Sequence, residues 1–406
     1  MTDTFAEQVT PRFSRKREAI VAAATEVMNR RGVRGMTLAE VAEQVGLITT
    51  SVTYYFRKKD TLAGACFAAG IERLSALVHA ARAEATAEAR IRRLLGLYLG
   101  LRARIVAGEA PPIPIFSDLR ALAPEAHGSV AAAYAGLFRR IRGLLAGPGG
   151  ETLSRGAATA RTTILLEQID WLGAWLPRYE IADYPAIGER MAEVLIGGFA
   201  PTGAEWRPTR LDIGGDAAPA AGREAFLKAA TRLINQRGYR GASVELISAA
   251  LGVSKGSFYH HHSAKDDVVA ACFARSFAVV RGAQAAARAP DGDAWLQLTS
   301  AAAALTAFQF SPAGPLLRTS ALAALPEQLR EAMLLQSDQL SAGFQATIAA
   351  GVAEGSLRPV DPFIAAQMLN ATLNAAADLP FLLRNPPADV AVDLYARPIF
   401  TGLAGP

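Results

Sequence analysis

Two short stretches concentrate the side chains able to do chemistry. Thr49-Thr50-Ser51-Val52-Thr53-Tyr54-Tyr55 carries four hydroxyls and two phenols, and Ser254-Lys255-Gly256-Ser257-Phe258-Tyr259-His260-His261 adds a lysine and imidazoles. Such groups exchange hydrogen bonds with base edges and phosphate oxygens, which is the chemistry of binding. His260, His261 and His262 are metal ligands by type, yet consecutive helical residues point about 100° apart and do not close on one ion. No Gly-rich phosphate loop follows a strand-like run, and with His79 and His127 as the remaining histidines no Ser/His/Asp or Cys/His set is suggested. The chain therefore reads as non-enzymatic, with no metal and no cofactor called for.

Each stretch comes third in a row of three short helical patterns. In the first pattern Ile20, Ala23, Ala24, Val27 and Met28 mark one apolar face that ends at Arg31-Gly32, where glycine can adopt the left-handed cap conformation. Thr37-Leu38-Ala39-Glu40 then fits a capping box, opening a second helix through about Gln44. Gly46 marks a turn, and a third helix spans residues 49–55, matched by residues 254–261 with Ser254 as N-cap. Two short helices joined by a tight glycine turn suit a helix-turn-helix whose second helix enters the major groove; the same pattern suits an ordinary helical hairpin.

The row of three occurs twice. At a constant offset of 206, Arg17-Glu18-Ala19 aligns with Arg223-Glu224-Ala225, Ala23-Ala24-Thr25 with Ala229-Ala230-Thr231, and Asn29 with Asn235. The register holds through Arg31-Gly32/Arg237-Gly238, Gly46/Gly252 and Lys59-Asp60/Lys265-Asp266 to Ala65-Cys66-Phe67-Ala68/Ala271-Cys272-Phe273-Ala274. A duplicated unit follows. The division expected is 1–62 and 222–268 as helix-turn-helix segments, 63–199 and 269–406 as helical bodies, and 200–221, with its Pro and Gly, as linker. Apolar periodicity predicts body helices over 91–105, 134–145, 161–175 and 184–199, then 295–308, 328–352, 362–377 and about 390–396.

Composition agrees with an all-α protein: alanine, leucine and arginine dominate, and aromatic residues are 7%. The 406 residues exceed one usual core. Of the formal net charge of +5, residues 1–62 and 222–268 supply +3 each, so the basic excess belongs to the two segments, as a polyanion-binding surface requires. Cys66 and Cys272, with no ligand-spaced partner, read as small buried hydrophobes in a reducing, cytoplasmic setting. A search for unbroken apolar runs finds none of the roughly 20 residues a membrane span needs.

Residues 252–262, Gly-Val-Ser-Lys-Gly-Ser-Phe-Tyr-His-His-His, followed by Lys265-Asp266-Asp267-Val268, resemble the DNA-binding signature of the tetracycline-repressor family. Residues 46–56, Gly-Leu-Ile-Thr-Thr-Ser-Val-Thr-Tyr-Tyr-Phe, followed by Lys59-Asp60-Thr61-Leu62, are similar to a variant of it. The signature covers about 46 residues in each half. The resemblance implies that Thr37 and Ser243 touch phosphate at the start of the second helix, and Lys59 and Lys265 at the start of the fourth. It further implies that Thr49, Thr50, Ser51 and Thr53, and Lys255, Gly256, Ser257 and Tyr259, face the groove, where His260 and His261 also lie. The family usually has Tyr where Thr53 stands, so Tyr54 or Tyr55 can substitute, and an aromatic or apolar residue where His262 stands. Arg12, Arg15, Lys16 and Arg17 read as a solvated basic terminus, with an arm along DNA as the second reading.

The resemblance also implies a transcriptional regulator, a repressor by default, whose helical bodies hold a small-molecule effector. Tyr98, Phe116, Gln168 and Trp171, and Phe308, Phe310, Met368 and Asn374, combine apolar bulk with polar groups as ligand sites do, although ordinary core packing explains the same residues. Family members generally pair as homodimers through their last two helices. Here the two halves of one chain can pair instead as a pseudo-dimer on double-stranded DNA, with residues 161–175 and 184–199 against 362–377 and the last helix. The linker's 22 residues reach about 70 Å when extended and roughly 25 Å as a coil. The competing expectation is an accessory or architectural DNA-binding protein without an effector.

Overall fold

The computed structural model describes residues 10–146, 153–213, 221–252, 265–288, 291–384 and 386–404, and among them every regular element is helical. The first half contains α1 (Pro11–Gly35), α2 (Leu38–Gln44), α3 (Thr49–Tyr55), α4 (Lys59–Ala81), α5 (Ala87–Val106), a 3-10 turn (Phe116–Ala121), α6 (Pro124–Arg142), α7 (Arg155–Trp175) and α8 (Tyr184–Gly197). The second contains α9 (Ala221–Gly241), α10 (Val244–Leu251), α11 (Lys265–Arg288), α12 (Ala294–Phe310), a 3-10 turn (Thr319–Ala324), α13 (Glu327–Glu354) and α14 (Pro362–Ala375). It closes with α15 (Leu379–Leu382), α16 (Ala388–Ala391), a π turn (Val392–Ala396) and α17 (Arg397–Thr401). The predicted body helices are all present. Three starts shift to follow the residues that cap them, Thr86, Ser154 and Asp293, each of which accepts a hydrogen bond from a first-turn amide; Asp361 caps α14 in the same way, and that helix begins at Pro362 as expected.

Two local expectations are corrected. Gly32 has φ 68 and ψ 163, which breaks α1 internally, and one further turn runs on to Gly35. Thr37 does cap α2, accepting from Glu40 N at 3.2 Å, but the Glu40 carboxylate pairs with Arg31 at 2.9 Å, so this is half a capping box.

Duplication is visible in matched contacts as well as in sequence. Cys66 donates to Val21 O at 3.5 Å and Cys272 to Leu227 O at 3.6 Å, positions again 206 apart. Both thiols are fully buried, and burial pushes each up to about 11, as inert packing groups behave. Asn29 clasps Ile113 O at 2.8 Å and Ile115 N at 3.1 Å; Asn235 clasps Leu316 O at 2.9 Å and Arg318 N at 3.0 Å. Each asparagine ties the first helix of its unit to the loop that precedes a 3-10 turn.

The halves meet along α7 and α14, and α8 also packs on α14. Across this seam Gln168 Nε2 donates to Thr372 Oγ1 at 3.0 Å and Trp171 Nε1 to Gln367 Oε1 at 3.2 Å. At the far end Phe199 N donates to Phe400 O at 2.8 Å while Leu403 N donates to Leu195 O at 2.7 Å. This reciprocal crossing needs glycine on both sides. Gly198 (φ 63) and Gly402 (φ 96) turn the chain where an added Cβ would lie 2.1 Å from Phe400 O and from Ile196 O respectively.

The described part of the linker is docked against the second half rather than behaving as a free coil. Trp206 Nε1 donates to Asp393 at 3.1 Å, Thr209 N to Ser300 Oγ at 2.9 Å, and Trp295 Nε1 to Glu205 O at 3.1 Å. Averaged hydropathy also shows what a search for unbroken runs misses: α4 and α11 are long and apolar enough to cross a membrane, with 44% and 50% of their apolar windows buried. Phe67 and Phe273 on these helices are core residues at 0% exposure.

Candidate nucleic-acid interface

The apolar side of α3 is narrow. Val52 is buried, Phe56 closes the helix from inside, and α2 holds it through Val41 and Ala42. The remaining face therefore turns outward. Thr49 and Thr50 are exposed, Ser51, Thr53 and Tyr55 are half-buried, and Tyr54 is 74% exposed. The Thr53 hydroxyl is turned back on its own helix, donating to Thr50 O at 2.8 Å, so Thr53 offers the groove less than Thr49 or Thr50.

Tyr55 stacks on Phe13 with centroids 4.7 Å apart, and Tyr54 meets the same ring edge-on at 6.1 Å. This braces α3 against the start of α1. The basic run Arg12, Arg15, Lys16 and Arg17 is consequently helical and not an extended arm, and Arg17 lies over the Phe56 ring at 5.0 Å.

The phosphate candidates flank this face. Thr37 is exposed at the start of α2; its hydroxyl accepts from Glu40 N and keeps its hydrogen for a donor role. Lys59 opens α4 and donates to Arg34 O at 2.9 Å, a contact it must leave to reach a phosphate. In the second unit Ser243 caps α10, accepting from Leu246 N at 3.3 Å, and Lys265 lies over the Tyr239 ring at 4.3 Å. Lys255, Gly256, Ser257, Tyr259, His260 and His261, with His262, lie outside the described residues.

Two surface residues escaped the sequence reading. Ile48, 71% exposed immediately before α3, is an apolar side chain in an otherwise polar turn, and that oddity was its only signal. Phe13 was hidden because its partners are more than forty residues away.

The eight effector candidates do not gather. Tyr98 is a core residue donating to Ile169 O at 3.3 Å, and burial pushes its phenol up to about 12. Gln168, Trp171 and Met368 belong to the seam between the halves. Phe308 is buried beneath Arg275, Phe310 is half-buried, and Asn374 is spent on Thr319 N at 2.8 Å and Leu317 O at 3.0 Å. Phe116 alone of the eight lines a cavity of about 420 Å³ that opens between the halves. Among the described residues no cluster of three potential metal ligands occurs.

The model of the bacterial regulatory proteins of the tetR family matches twice, at residues 20–66 and 226–272. The chain belongs to that family and carries its unit twice in tandem: it is a DNA-binding transcription regulator. Solved structures similar to it include PfmR from Thermus thermophilus, at 22% identity over 44% of this chain and 98% of that one, with a TM-score of 0.36. AibR in complex with isovaleryl coenzyme A and operator DNA is 16% identical over 44% of this chain and 96% of that one, with a TM-score of 0.37. FadR from Bacillus subtilis in complex with stearoyl-CoA is 17% identical over 44% and 96%, with a TM-score of 0.32. Among curated proteins none matches.

Proposed function

We propose that this regulator is a cytoplasmic repressor whose two units, fused in one chain, grip a single operator as an intramolecular pseudo-dimer and let go when a small molecule binds. Thr37, Thr49, Thr50, Ser51, Tyr54 and Lys59 read one half-site, helped by Ile48 against a thymine methyl. Ser243, Lys255, Gly256, Ser257, Tyr259, His260, His261 and Lys265 read the other.

The observation that carries this reading is the packing of α7 on α14, since one helix comes from each half and the pair joins the two bodies through buried side chains. In support, the chain ends of the two bodies interlock at Gly198 and Gly402, which suits a fixed spacing between the reading segments. Because Thr49-Thr50-Ser51 and Lys255-Gly256-Ser257 present different groups, the preferred operator has unlike half-sites. Selection of bound sequences from random DNA with the full-length chain tests this. Two dissimilar half-sites at fixed spacing are expected; identical palindromic half-sites, or no sequence preference, would refute it.

A further inference from the structure

The cavity between the halves has an unusual wall. Its apolar surface comes from Phe116, Tyr134, Phe138 and Leu166, with Phe116 and Tyr134 ring centroids 5.5 Å apart. Phe381, 72% exposed, and Leu382 stand at its mouth. At about 420 Å³ it falls in the range that holds a small organic molecule.

The charged groups in this wall are matched with one exception. Arg318 pairs with Glu167 at 2.8 Å and lies 3.7 Å from Asp378. Arg120 pairs with Asp378 at 2.6 Å and donates to Asn235 O at 2.7 Å, while Arg232, on the rim, donates to Gly314 O at 3.1 Å. Asp170 lines the cavity and has no hydrogen bond to any described residue. A second unmet group lies nearby: Arg318 is 6% exposed, and its Nη1 and Nε are buried without a hydrogen-bond acceptor among the described residues, Nε lying 3.7 Å from Asp378.

We infer that this cavity is a binding site for an organic cation with an apolar body, its charge held by Asp170 and the aromatic faces of Phe116 and Tyr134, and a neutral acceptor oxygen taken by Arg318 Nη1. An anion fits poorly, because Glu167 and Asp378 both lie against Arg318 and already compensate its charge, and Asp170 adds a further carboxyl to the same wall. A cation meets a buried carboxyl with no hydrogen-bonded partner of its own among the described residues, where a charge pair is little screened, and beside it the rings of Phe116 and Tyr134, which suit cation–π contact.

The site is single. Counted from their N-caps, Ser154 and Asp361, the position of Asp170 in α7 corresponds to Ala377 in the second half, which supplies no charge. It also reaches the DNA-binding part directly, for Arg232, Asn235 and Gln236 in its wall lie on α9, the first helix of the second reading unit. Identification of the ligand class rests on the effector reading above, yet it can be tested apart from it.

Burial, reinforced by Glu167 and opposed by Arg318, pushes Asp170 up to about 7. The groups facing it are Glu167 on its own helix, Arg318 from the second half, Tyr134 from α6 and Tyr98 from α5. A permanently charged ligand should therefore bind about tenfold more tightly at pH 8 than at pH 6, as the carboxyl ionises.

Calorimetric titration of the full-length chain with (4-phenoxybutyl)trimethylammonium, its neutral alcohol analogue and its carboxylate analogue provides the test. The cation is expected to bind most tightly, and Asp170→Asn to weaken it at least tenfold and remove its pH dependence while leaving the neutral analogue unchanged. Preference for the carboxylate, or equal binding of the cation to wild type and Asp170→Asn, would overturn the inference. Operator binding is read separately. A cation that binds through Asp170 without loosening DNA would uphold the site and refute release by an effector.

Discussion

Glu167 on α7 and Arg318, just ahead of the 3-10 turn Thr319–Ala324, form a buried ion pair at 2.8 Å that joins one repeat to the other. Burial disfavours the guanidinium charge, but Glu167 and Asp378 outweigh it and hold Arg318 above its ordinary value. Removing one partner strands the other charge. Arg318→Met is expected to cost about 3–5 kcal/mol, seen as a lower midpoint in urea unfolding. The double variant Glu167→Leu/Arg318→Met, which leaves no uncompensated charge at this pair, should recover much of that loss. Equal destabilisation of single and double variants would count against the pairing.

Asp170 gives stability a pH dependence of definite sign. Its folded-state value of about 7 lies above the ordinary 3.8, so between those limits the folded chain binds the extra proton. The stabilising contribution is therefore full below about pH 4, falls as pH rises toward 7 and is level above. Unfolding curves of wild type and Asp170→Asn should diverge across that window by on the order of a few kcal/mol, with the variant relatively more stable at pH 8. Parallel curves would show that the carboxyl titrates normally.

On the reading face, Thr50 and Lys59 should fail differently. Thr50→Ala removes one exposed hydroxyl and is expected to weaken operator binding by about 0.5–1.5 kcal/mol, with the loss confined to base changes in one half-site. Lys59→Ala should weaken binding to all sequences alike and reduce the salt slope by about 1. Titrations against single-base variants of the operator, at two or more salt concentrations, separate the two. A sequence-independent loss for Thr50→Ala would place it on the phosphates.

Much of the fold was legible because its signals are local. Thr37 with Glu40 announced the start of α2, Gly46 its turn, and the fixed offset between matched residues announced the second unit. The body helices were legible from periodicity, and two of their starts were misplaced because Thr86 and Ser154 cap them several residues ahead of the apolar pattern. The ligand candidates fared worse. Tyr98, Gln168 and Trp171 look alike in sequence whether they line a pocket, fill a core or bridge two halves. Asp170 and Arg318 gain their meaning only when residues 148 positions apart are brought to one cavity, which no spacing rule reports. Lys255 to His261 carry the clearest family signature, legible because it is a contiguous run.

The fused architecture is tested most directly by counting chains on DNA. Native mass spectrometry of the full-length chain with one selected operator duplex should show a single chain per duplex, unchanged as protein is added in excess. Two chains on one minimal operator would mean that each chain supplies one reading head to an ordinary dimer, and would contradict the account.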